Sequence, residues 1–111
     1  MKRFAIVLCL AGLFGFAGCG GDAVSKSQVT DALATVADGK VSAVAHTMVG
    51  AEDGLDYRGA GLSVEVYIFA TADEASKAKL PGRSPRFTHK NLLVIVHGGD
   101  QAKIEAAVKA L

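Results

Sequence analysis

Apolar residues fall into three regimes along this chain of 111 residues. An uncharged run fills residues 4–16, two stretches repeat at helical spacing, and two others alternate or run unbroken as strands do. Residues 28–38 give the first helix. Val29, Ala32, Leu33, Val36 and Ala37 fall there within an arc of roughly 140°, with Asp31, Ala34 and Asp38 facing away. Ser27 is placed to cap its start and Gly39 to end it in a left-handed conformation. Residues 62–70 give the clearest strand, with Leu62, Val64, Val66, Ile68 and Ala70 on one face and Ser63, Glu65, Tyr67 and Phe69 on the other. Thr71-Ala72-Asp73-Glu74 is a capping box that opens a short helix to about residue 79, ended by Pro81-Gly82.

Residues 86–89 read as a short strand, turned by Lys90-Asn91 into Leu92-Leu93-Val94-Ile95-Val96. That unbroken apolar run fits an interior strand covered on both faces. Asp100 caps a last helix whose stripe is Ile104, Ala107, Val108 and Leu111, with Glu105 and Lys109 as an outward i,i+4 pair. Residues 41–49 fit both periods, and their β-branched content favours a strand. Residues 50–61 carry four glycines and read as a long loop. The order helix, strand, strand, helix, strand, strand, helix predicts the α+β class. It resembles a ferredoxin-like sandwich, a small four-stranded, mainly antiparallel sheet with helices on one face.

The first apolar run has a different use. Lys2 and Arg3 precede it, and the small residues Ala17 and Gly18 follow, which are the three parts of a secretory signal. Its 13 strongly apolar residues, 4–16, make about 20 Å of helix against a hydrocarbon core of about 30 Å. The run is therefore too short to span well. Phe16-Ala17-Gly18-Cys19 resembles the lipobox of bacterial lipoproteins, with Phe16 where Leu, Val or Ile is usual. The resemblance implies cleavage before Cys19 and a diacylglyceryl group on its thiol. The chain then divides into a signal peptide (1–18), a lipidated Cys19 with a short tether (19–26) and one α+β domain (27–111). It also implies a place in the cell envelope, on the outer leaflet of the cell membrane or at the outer membrane. Gly20, rather than Asp, favours the outer membrane in a Gram-negative host.

Cleavage changes the composition. It leaves 93 of the 111 residues, enough for one domain with a modest core. The 12 basic and 11 acidic residues become 10 and 11 once Lys2 and Arg3 are gone. No basic surface for nucleic acid remains. Cys9 leaves with the signal and Cys19 is acylated, so the exported domain has no thiol for a disulfide, a nucleophile or a metal.

Candidate chemistry is sparse. His46, His89 and His97 are the weak candidates for a metal, and none stands at the spacing of a zinc motif. Glu52, Asp53 and Asp56 do not follow a calcium-loop pattern. Gly98-Gly99-Asp100 sets a carboxylate where a helix start would otherwise attract an anion. Ser42, Ser63, Ser76 and Ser84 lack a glycine-flanked nucleophile turn. The residues point to no enzyme and call for no cofactor. The expected partners are the membrane, through the lipid on Cys19, and a protein partner or a second copy of the chain. Tyr67 and Phe69 mark the expected interaction face, since helices on one side of the sheet would leave the other side greasy.

Overall fold

The computed structural model describes residues 23–111, and the apolar run, Cys19 and the start of the tether lie outside the described residues. Helix α1 (Lys26–Ala34) begins earlier than its stripe suggested. Ser25, not Ser27, caps it: its hydroxyl accepts the Gln28 N–H at 3.3 Å, and the Gln28 side chain accepts the Ser25 N–H at 2.9 Å. The helix also stops before residue 38. The Thr35 hydroxyl turns back onto the Ala32 carbonyl at 2.5 Å, and the chain then reverses into strand β1 (Gly39–Ser42). Val36 and Ala37 still pack against the core, from a turn rather than a helix.

Residues 41–49 follow neither period throughout. After β1 the chain forms a 3-10 turn (His46–Val49), closed by Gly50 at φ 81°. The larger correction concerns residues 50–61. Asp53–Gly59 is strand β2, not a loop, with Leu55 and Tyr57 buried on one side and Asp56 and Arg58 on the other. It pairs with β3 (Leu62–Ile68) from Asp53↔Ile68 to Gly59↔Leu62. Ala60-Gly61 is the two-residue hairpin turn, and Gly61 supplies its positive φ of 70°.

The remaining elements lie where their patterns put them: α2 (Ala72–Lys77), β4 (Arg86–His89), β5 (Leu92–Gly98) and α3 (Gln101–Lys109). Thr71 accepts the Glu74 N–H at 3.1 Å, and Asp100 accepts the Lys103 N–H at 3.2 Å. Glu105 and Lys109 pair at 2.6 Å.

All five strands join in one antiparallel sheet, in the order β1-β2-β3-β5-β4. The class is α+β, with five strands where four were expected, and the addition comes from β2. The helices are not confined to one face. On the main face, Val29 and Leu33 of α1 and Ile104 and Val108 of α3 pack over Leu55, Tyr57, Val64, Val66 and Val94. On the opposite face, Ala75 of α2 and Val49 of the 3-10 turn pack with Tyr67, Phe69, Leu93 and Ile95. The composition of β5 demands this, because a strand apolar on both sides loses burial on one of them in a two-layer sandwich. Among the described residues no helix is long and apolar enough to cross a membrane.

Two clasps fix the ends of the sheet. Tyr57, 2% exposed, donates its hydroxyl to the Ala37 carbonyl at 2.7 Å and so ties the α1–β1 turn to β2. At the other end, buried Asn91 accepts the Val24 N–H at 2.7 Å and donates to the carbonyls of Val24 and Phe69 at 3.2 and 3.1 Å. Packing therefore begins at Val24, ahead of α1.

Candidate functional site

The second face of the sheet has two halves. Its lower half, toward Phe69 and Leu93, lies under α2 and the 3-10 turn. Tyr67 and Phe69 are consequently 5% and 3% exposed. The greasy interaction face expected at these two residues is not open, because a second helical layer covers it. Above that layer the face turns polar. Strand alternation brings Asp56 and Arg58 from β2 and Ser63 and Glu65 from β3 to this side, and the register sets Asp56 directly beside Glu65. Two carboxylates facing each other across adjacent strands repel, so each needs its own partner.

Each finds one. Arg58 Nε donates to Asp56 Oδ2 at 2.9 Å, and the Tyr67 hydroxyl donates to Glu65 Oε2 at 2.9 Å. The other Glu65 oxygen takes His97 Nε2. Alternation along β5 carries His97 to this side with Leu93 and Ile95, at a bulge where Val96 pairs with Val64 and Gly98 with Ser63. The other ring nitrogen, Nδ1, lies 2.9 Å from Ser84 Oγ. The imidazole thus bridges the Ser84 hydroxyl and the Glu65 carboxylate. Ser84 is held by Arg86, whose guanidinium donates to the carbonyls of Leu80, Gly82 and Ser84 at 2.7, 3.1 and 3.2 Å and so shapes the loop before β4.

The result is a connected chain, Ser84–His97–Glu65–Tyr67, beside Asp56. The side chains of His97, Glu65 and Asp56 are 41%, 25% and 16% exposed. Burial above all, then Glu65, which accepts its hydrogen bond and repels the phenolate, and the charge of Asp56 together raise the Tyr67 hydroxyl pKa to about 12. Asp56 Oδ1 is buried without a hydrogen-bond partner. A hydroxyl, an imidazole and a carboxylate in series are the parts of a hydrolytic relay. Here, however, Ser84 precedes Pro85 in a loop, away from any strand-to-helix turn. What the arrangement offers directly is recognition: a row of acceptors at Asp56 and Glu65, flanked by Arg58 and His97.

The three histidines are not brought together. His46 sits on the 3-10 turn with Nδ1 3.1 Å from the Ala51 carbonyl, His89 ends β4, and His97 belongs to the polar cluster. Among the described residues no three His, Cys, Asp or Glu side chains are grouped to hold a metal ion. Of the acidic segment, Asp53 pairs with Lys26 at 3.3 Å and accepts the Gly54 N–H at 2.8 Å. That backbone bond is the main reason its carboxyl lies below the usual range. Glu65 and Tyr67 were placed together by strand alternation alone. Asp56 was hidden by reading β2 as a loop, and nothing local links Ser84 to His97. Comparison of the chain with family models, with curated proteins and with solved structures gave no match to any of the three.

Proposed function

We propose that this chain is a lipid-anchored protein of the bacterial cell envelope whose single domain is a non-catalytic binding module. The observation that carries the anchor is the N-terminal sequence itself: Lys2-Arg3, an apolar run too short to span, and Ala17-Gly18-Cys19. The start of the packed domain agrees with it, since Val24 follows Cys19 by only five positions and is already in the core. Acylation is tested by expressing the full chain with labelled palmitate and weighing the product. The expected product lacks residues 1–18, carries acyl chains on Cys19 and sediments with membranes. Cys19→Ser is expected to abolish both label and sedimentation. An unacylated product would sink the reading.

For the binding role, the uncovered polar half of the second sheet face is the best-supported surface. It is the part of that face that α2 and the 3-10 turn leave open, and it presents Asp56, Arg58, Glu65, Ser84 and His97. Pull-down from envelope membranes with wild type and with Glu65→Gln/His97→Ala tests a protein partner, and native mass spectrometry of residues 20–111 tests a second copy. A partner set and mass unchanged by the double substitution would refute this placement. A small-ligand reading has one observation in its favour, the unmet acceptor at Asp56 Oδ1 beside Glu65. It requires a ligand with hydrogen-bond donors, such as an amine, and a ligand-dependent rise in Tm that Asp56→Asn removes.

A further inference from the structure

Three features meet at one end of the sheet. The chain enters there, with Val24 held by Asn91, which also binds the Phe69 carbonyl. On the opposite face Phe69 lines a shallow groove of about 300 Å³ with Val49, Gly50, Glu74, Lys77 and Ala78, between the 3-10 turn and α2. Next to Val49 on that turn, Met48 is 85% exposed, against 42% for Val41, the other large apolar side chain in solvent among the described residues. A long, flexible apolar side chain held out in water beside a groove with an apolar floor and a charged edge suits the boundary of headgroups and acyl chains.

We infer that this end of the domain, with Met48 foremost, rests on the lipid bilayer that holds Cys19, an inference that rests on the lipid-anchor reading above. The chain outside the described residues supplies the argument for a lipid surface over any other occupant. Five positions separate Cys19 from Val24, a reach of about 17 Å even when fully extended. Strand β3 alone, with its seven residues, is about 23 Å long. Its far end, at the Ala60-Gly61 turn, lies beyond that reach, while the end where Asn91 joins Val24 to Phe69 lies within it. Lys26 is paired with Asp53 and Lys77 with Asp73 at this end, and Glu74 stands at the edge of the groove. The surface met by the bilayer is thus apolar at Met48, with Glu74 and the Lys77–Asp73 pair beside it.

The test uses the absence of any free thiol in the acylated mature chain. Met48→Cys and, as the far-end counterpart, Ala60→Cys are made separately in the full chain, expressed with the signal and acylated. Each is labelled with an environment-sensitive fluorophore and reconstituted in phosphatidylcholine vesicles carrying a spin-labelled quencher lipid. Both sites are exposed, so neither change removes core packing. The expected result is a blue-shifted, strongly quenched label at position 48 and an unshifted, unquenched label at position 60. Equal, weak quenching at both positions on vesicle-bound protein would overturn the inference and leave the anchor standing, as would stronger quenching at position 60. A chain that carries no acyl group on Cys19 and does not bind vesicles would overturn the anchor, and the inference with it.

Discussion

Asn91 offers the sharpest test of how the tether is joined to the domain. The residue is 4% exposed and makes three hydrogen bonds to backbone, two with Val24 and one with Phe69. A net intramolecular hydrogen bond contributes about 0.5–1.5 kcal/mol, so Asn91→Ala removes roughly 2–4 kcal/mol. If Val24 then leaves the core, its side chain forfeits up to about 1.5 kcal/mol more, while its freed polar groups regain water and return part of the loss. The expected net loss is about 2–4 kcal/mol, or roughly 10–25 °C in Tm for a domain of this size. Asn91→Asp keeps an acceptor for the Val24 N–H but sets a carboxylate against two carbonyls, so its loss is expected to be at least as large at neutral pH. The assay is urea unfolding of residues 20–111 followed by circular dichroism, read as a shift in midpoint at constant slope. A loss below about 0.5 kcal/mol in both variants would refute the view that this side chain clasps the domain's entry point to β3.

Three other outcomes are expected. Leu55→Ala should cost about 2–5 kcal/mol in the same unfolding assay, because Leu55 is fully buried in β2, and a change near zero would restore the loop reading of that segment. Gly59→Ala should cost about 1–3 kcal/mol, since its Cβ would lie 2.1 Å from the Asp38 carbonyl oxygen. Gly98→Ala, with its nearest neighbour at 3.9 Å, should be neutral or slightly stabilising, and the reverse order would contradict the packing around β1. Tyr67 ionises in the folded domain at about 12 but near 10 in the unfolded chain. Its contribution is therefore intact below pH about 10 and lost as pH rises to about 12, roughly 2–3 kcal/mol in all. Phenolate absorbance in a Tyr57→Phe background, where Tyr67 is the sole tyrosine, should show that gap between native and urea-unfolded protein.

Local sequence was enough wherever neighbouring residues settle the conformation among themselves. The Thr71 and Asp100 caps act within one turn, the Leu62 to Ile68 alternation selects a strand, and Lys90-Asn91 closes a hairpin without help from elsewhere. By the same logic, the expected lipid on Cys19 depends on a short linear signal and needs no fold. Strand β2 lay beyond that reach. Leu55 and Tyr57 alternate correctly, but the glycines and charges around them favour a loop until β1 and β3 supply hydrogen bonds on both edges. Tyr67 and Phe69 looked exposed because no local pattern says which face α2 will cover, and β5, apolar on both sides, drew it there. The polar cluster is the most distant product of tertiary structure. Ser84, His97 and Glu65 meet only because β5 pairs with β3 and Arg86 folds the loop carrying Ser84. The sequence alone thus determined the Thr71 and Asp100 caps, the Lys90-Asn91 turn and the alternation of β3, since each is decided within a few residues. Strand partners, the covered face and the site were decided by pairings across tens of residues, which only the closed sheet makes favourable.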